Sequence, residues 1–146
     1  MRTRIPFSDV DMHGNVHNGR YVAYAEDAVN EFLRESGLSD RFDPRSSELA
    51  YHVKKVEVVY QRPVGFDEVV DVTARVARVG RTSLTFEAEV RPLDGDGPAV
   101  RASVVWVCVD PATRSAVPVP DHVRDALTAT TDPAATPAAT SGGPAA

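Results

Sequence analysis

The run Phe7-Ser8-Asp9-Val10-Asp11-Met12-His13-Gly14-Asn15-Val16-His17-Asn18-Gly19-Arg20-Tyr21 crowds carboxylates, imidazoles, amides and two glycines into a turn that opens a helix. A carboxylate beside a helix start supplies both parts that acyl transfer needs. One is a base or nucleophile, and the other is a set of backbone N–H groups aimed where negative charge develops. Asp11 is the leading candidate, because it stands just before the helix. It could act through water as a general base or directly on the carbonyl as a nucleophile, and its position does not choose between the two.

The neighbours divide by residue type. Asp9, in an extended segment, would point to the same side as Asp11, and two adjacent carboxylates raise one pKa; a solvated turn aspartate explains it as well. His13 and His17 are spaced for a metal only if they lie on a helix, and Gly14 with Asn15 between them marks a turn instead. His17 is therefore read as orienting a water or the acyl carbonyl. Gly14 would serve a sharp turn, and Gly19 the close approach of a ligand to the helix. Asn18 is expected as the N-cap, with the N–H groups near Asn18 and Gly19 polarising the carbonyl. Among Arg62, Arg78, Arg81 and Arg91, the Gly80-led turn Arg81-Thr82-Ser83 best suits a phosphate, since it combines hydroxyls with free N–H groups. Trp106 and Cys108 read as core, and Glu26 as a boundary position on the helix.

These residues need a frame. A short strand is expected over 2–8, then a helix from about Gly19 to Ser36 with Gly37 as its stop. Tyr21, Ala25, Ala28, Val29 and Phe32 share one side of that helix, widened by Tyr24 and Leu33, so it should be sunk into a sheet. From about Glu48 the period changes to alternation, as in Val70, Val72, Ala74 and Val76 against Asp71, Thr73 and Arg75. Four strands in a meander are expected, divided at Pro63–Asp67, Val79–Thr82 and Asp94–Pro98. The fourth, Val100 to Val109, is apolar on both faces, which suits a central or interface position. A returning strand near Ser115 to Val119 and a short helix from about Asp121 to Leu127 would follow. Residues 128–146, rich in Pro, Ala, Thr, Ser and Gly, read as a disordered tail. The result is an α+β domain over residues 1–127, a long helix packed on a curved antiparallel sheet.

Composition sets the outer limits. A chain of 146 residues fits one domain with a core. Its net charge of -5 argues against nucleic acid but leaves room for an anionic ligand held by a few arginines. One cysteine permits no internal disulfide and suits a reducing compartment. With no signal-like apolar stretch and no membrane span in the sequence, the expected location is the cytoplasm.

The loop also resembles the Asp-x-x-Gly-His-Val-Asn-Asn-x-x-Tyr signature of hotdog-fold acyl thioesterases of the 4-hydroxybenzoyl-CoA thioesterase type. Asp11 matches the catalytic aspartate, Gly14 the glycine, Val16 the valine, Asn18 the second asparagine and Tyr21 the tyrosine. Tyr21-Val22-Ala23-Tyr24-Ala25-Glu26 is similar to the family's Tyr-x-x-Tyr/Phe-x-Glu. One departure is visible: Asn15 and His17 stand as though the family's His and Asn had exchanged, so a family role for that imidazole does not transfer to His17.

The resemblance implies a hotdog fold and an acyl-thioester hydrolase acting on acyl-CoA or an acyl carrier protein. It implies a homodimer or homotetramer whose sites are shared between protomers, and neither a metal nor a redox cofactor. A non-catalytic acyl-thioester-binding module is the alternative. A hotdog hydratase or dehydratase is less favoured, since its Asp-x4-His dyad differs from the Asp-x5-His of Asp11 and His17. The acyl group depends on which of Tyr21, Tyr24, Tyr51, Phe66 and Trp106 line the cleft.

Overall fold

The computed structural model describes residues 1–131. Its strands are β1 (Arg2–Arg4), β2 (Ala50–Tyr60), β3 (Val69–Val79), β4 (Ser83–Pro92) and β5 (Val100–Val109). They form one antiparallel sheet in the order β1-β3-β4-β5-β2. The period of two is plainest in β4, which buries Leu84, Phe86, Ala88 and Val90 and leaves the residues between them half-exposed. Burial of Leu84, Phe86 and Val90 contributes roughly 1.5–3 kcal/mol each.

Across the buried face lies α1 (Arg20–Glu35), which buries Tyr21, Tyr24, Ala25, Ala28, Val29 and Leu33. Glu26 takes the boundary position expected of it, and Phe32 is only half-buried. The helix ends as its glycine suggested. Gly37 adopts φ +70°, its N–H donates to Arg34 O at 3.1 Å, and the N–H of buried Leu38 donates to Leu33 O at 2.7 Å. That is a Schellman stop with its apolar contact. A short helix α2 (Ser39–Phe42) and a C-terminal helix α3 (Asp121–Thr131), which buries Val123 and Leu127, complete the layer.

The structure corrects four expectations. The first strand stops at Arg4, because Pro6 lacks a donor and Phe7–Asp9 closes into a 3-10 turn. Only β3, β4 and β5 form a meander. β2 pairs with β5, from Ala50↔Val109 to Tyr60↔Val100, so 63–67 is a crossover rather than a hairpin. This places β5 inside the sheet, in keeping with its two apolar faces. Near 115–119 there is one bridge, Val109↔Ala116, instead of a strand, and Pro118 and Pro120 cannot donate to a ladder. Finally, α3 runs four residues past Leu127, so 128–131 are helical; the remainder of the expected tail lies outside the described residues. Cys108 is fully buried and Trp106 partly so. No helix among the described residues is long and apolar enough to cross a membrane.

Candidate active site

The loop between the 3-10 turn and α1 folds back on itself. Val10 bridges Val16, the Asp11 N–H donates to Asn15 O at 2.8 Å, and the Gly14 N–H donates to Asp11 O at 3.0 Å. Gly14 has φ +77°, a conformation that a side chain strains. The crossover then clamps the loop from outside: the Val16 N–H donates to Val64 O at 2.8 Å, and the Phe66 N–H to Gly14 O at 2.9 Å. A loop with this many main-chain bonds presents its side chains in fixed directions.

Asp11 is half-exposed. Its Oδ1 accepts the N–H groups of His13, at 2.8 Å, and Asn15, at 3.2 Å, while Oδ2 has no partner among the described residues. The His13 N–H does most to hold this carboxyl below its ordinary pKa; partial burial opposes it, and the Asn15 N–H and the imidazoles of His13 and His17 add to the lowering. Asp11 is therefore an anion at neutral pH with one oxygen oriented and the other available.

Asp11 lines a cleft of about 320 Å³ with Asn15, Val16, Asn18, Tyr21, Tyr60, Gln61, Arg62 and Pro63. Tyr21 and Tyr60 meet edge to face, with centroids 5.5 Å apart, and the Tyr60 hydroxyl donates to Asn18 O at 2.9 Å. The Tyr21 hydroxyl accepts the Val64 N–H at 3.2 Å, which fixes the crossover wall. Tyr60, Gln61, Arg62 and Pro63 were not singled out as a group by sequence. Their signal is a strand-ending Tyr-x-Arg-Pro, meaningful only once β2 is known to end beside the helix.

The helix start differs from expectation. Gly19, not Asn18, is the N-cap, and no side chain caps the first turn, because Asn18 lies one residue too early. The N–H groups of Asn18 and Gly19 make no hydrogen bond to any described residue. His17 is exposed, and its own N–H donates to Asp9 O at 2.9 Å.

Asp9 is not a solvated turn residue. It is 4% exposed, the one charged side chain buried among the described residues. Its Oδ2 accepts the Tyr24 hydroxyl at 2.5 Å, and Oδ1 meets Arg20 Nη2 at 3.0 Å. Burial alone would raise its pKa, but the bonds from Tyr24 and Arg20 outweigh burial and lower it. Both Asp9 and Asp11 are thus lowered, so the expected carboxylate pair with one raised member does not form.

Arg81, Thr82 and Ser83 sit in the turn from β3 to β4. The 11 residues of β3 span about 35 Å and separate that turn from the Asp11 loop, which adjoins the other end of the strand. The Gly80 N–H is not free, since it donates to Ser83 O at 2.7 Å. One chain alone does not bring these residues to the cleft. Tyr51 and Trp106 join Phe42 and Phe86 in a separate aromatic cluster, and Phe66 meets Phe7 edge to face at the surface. Of the aromatic residues considered for the acyl seat, Tyr21 lines the cleft. No three His, Cys, Asp or Glu side chains among the described residues are grouped to hold a metal.

A long helix against an antiparallel sheet, with a polar loop at the helix start, is the hotdog fold. The chain belongs to the thioesterase-like superfamily, whose family model matches residues 5–127. It is 29% identical to the Escherichia coli acyl-CoA thioester hydrolase YbgC over 74% of this chain and 79% of that one. It is 25% identical to the 1,4-dihydroxy-2-naphthoyl-CoA hydrolase of Synechococcus elongatus, over 88% of this chain and 93% of the relative. Among solved structures, a hypothetical protein from Aquifex aeolicus superposes with a TM-score of 0.75 at 27% identity, covering 87% of this chain and 97% of its own.

Proposed function

We propose that this chain hydrolyses acyl-CoA thioesters to the free acid and coenzyme A, with Asp11 as the reacting carboxylate. The observation that carries the reading is one cleft lined by Asp11, whose Oδ2 has no partner among the described residues, beside a helix start whose Asn18 and Gly19 N–H groups are likewise unpaired among them. A thioester carbonyl accepting from those N–H groups would have its developing oxyanion stabilised there. Asp11 would then take a proton from water, or attack the carbonyl carbon and be released by hydrolysis of the resulting anhydride. Relatives named for hydrolysis of acyl-CoA and naphthoyl-CoA esters support the same substrate class.

The test is thiol release from short, long and aromatic acyl-CoA esters by the protein and its Asp11→Asn variant. A loss of about two powers of ten in kcat with the fold intact is expected. An undiminished variant would remove Asp11 from the mechanism. Release from none of the CoA esters would direct the assay to acyl carrier protein thioesters, and binding without release there would favour the non-catalytic module.

A homodimer follows from the same reading. The outer edge of β2, 11 residues long, has no strand beside it among the described residues, and Val53, Val59 and Tyr60 are exposed along it. Such an edge is a template for another strand. Antiparallel pairing of two β2 edges would turn the β3–β4 end of one copy toward the cleft end of the other, so Arg81, Thr82 and Ser83 would serve the neighbouring site. Sedimentation should give twice the chain mass. Mixing inactive Asp11→Asn with an Arg81→Glu variant should restore activity in hybrids, and a mixture no more active than its parts would reject the shared site.

A further inference from the structure

We propose that Asp9 is a positioning residue whose buried carboxylate, bound by Tyr24 and Arg20, fixes the loop that presents Asp11 to the cleft. The inference rests on the reading of Asp11 as the reacting group. An ionised carboxylate deprived of water costs several kcal/mol unless its oxygens are bonded, so a chain that buries one must spend specific partners on it. Ser8 Oγ adds a long bond of 3.5 Å to Oδ1, and the two close partners, Tyr24 and Arg20, come from α1. Arg20 and Tyr24 are four apart, one helical turn, and so project from one face toward the same carboxylate. Arg20 is the first residue of α1, where a cation opposes the helix dipole; Asp9 compensates it and places an anion at that end.

Asp9 is tied by its main chain as well. Its carbonyl accepts the His17 N–H at 2.9 Å, so side chain and peptide both hold the loop to the helix approach. Val10 then bridges Val16, and Asp11 follows. Three consecutive residues are thereby fixed relative to α1, and the unpaired N–H groups of Asn18 and Gly19 lie between the two anchoring points. The distance from the Asp11 carboxylate to those N–H groups is thus set largely by where Asp9 is held. Reaction at a carbonyl is sensitive to that distance, and a misplacement of about 1 Å costs on the order of 100-fold in rate.

An ion pair that only stabilised the fold would behave differently: its removal would lower the melting temperature and leave kcat and the loop alone. The test therefore compares Tyr24→Phe, which removes one hydroxyl, and Asp9→Asn, which removes the charge, by steady-state kinetics and by amide hydrogen exchange. The expected result is a fall in kcat of about 10- to 100-fold with KM within about threefold. The same variants should show at least about tenfold faster exchange at the His13 and Asn15 amides, while amides in the middle of β4 remain protected. Unchanged kcat and unchanged loop exchange in both folded variants would overturn the proposal. Faster exchange with unchanged kcat would overturn it too, since the loop would then be loosened without consequence for Asp11. A wild-type protein that releases no thiol from any ester would sink the hydrolase reading, and the exchange arm would still decide whether Asp9 holds the loop.

Discussion

The hydroxyl of Tyr60, the last residue of β2, donates to the main-chain carbonyl of Asn18, two residues before α1, at 2.9 Å. One bond therefore joins the end of a sheet-edge strand to the helix approach, and both residues line the cleft with Asp11.

Tyr60→Phe should test what that tether does. The ring keeps its edge contact with Tyr21, so only the bond is lost. Tyr60 is 47% exposed, and water can replace the donor, so stability should fall by no more than about 1 kcal/mol. With the Asn18–Gly19 peptide freed, kcat should drop by about three- to tenfold if the Gly19 N–H of that peptide meets the carbonyl oxygen. Denaturation and kinetics on one preparation check both numbers, and an unchanged kcat would remove the Gly19 N–H from the oxyanion contact.

The pH dependence follows from Asp11. Its N–H donors hold the carboxyl below the ordinary value of 3.8, so the reactive anion persists as the solution is acidified. The acid limb of kcat/KM should lie below pH 3.8 and be absent between about pH 5 and 7. An acid limb centred near pH 6 would identify a different titrating group. The profile is to be recorded with a stability check at each pH.

Much of this arrangement was legible because it is local. The arc Tyr21, Ala25, Ala28 and Val29 announced a buried helix, alternation announced β3 and β4, and Gly37 marked the stop that it makes. The order of the strands was not legible, since the pairing of β2 with β5 joins residues 40 to 59 positions apart and leaves no periodic trace. Asp9 and Asp11 show the same limit at the site. They are one residue type at adjacent alternate positions, and only the 3-10 turn after Pro6, with Tyr24 one turn into α1, sends one into the interior and leaves the other at the cleft. Arg81 shows the complementary limit. A Gly-led turn near Arg81 has suitable chemistry, but within one chain the length of β3 holds it away from the cleft, which Arg62 lines through the crossover.

Gly14→Ala isolates a backbone requirement. A Cβ at this position would meet no atom within 4 Å, so the cost comes from φ +77° alone, roughly 1–2 kcal/mol. Relief by a shift in φ would disturb the Gly14 N–H bond to Asp11 O and the Phe66 bond to Gly14 O. Lower stability together with lower kcat is expected. Stability equal to wild type in urea titration would mean that the turn relaxes freely and does not hold Asp11.

Acid stability should carry the mark of Asp9. Its folded pKa is lowered from 3.8, so its ionised form adds stability that is complete well above pH 3.8 and is lost as pH falls through the folded value. Asp9→Asn removes the titration while keeping the size of the side chain. The variant should therefore be less stable than wild type at pH 7, and the gap should narrow as the pH is taken from about 5 toward 3. Tyr24→Phe should reduce the same gap, because the Tyr24 hydroxyl is the strongest of the contacts that lower Asp9. Urea midpoints for the three proteins across that range decide the point. A gap of constant size would show that the bracket acts through packing, with no contribution from the charge on Asp9.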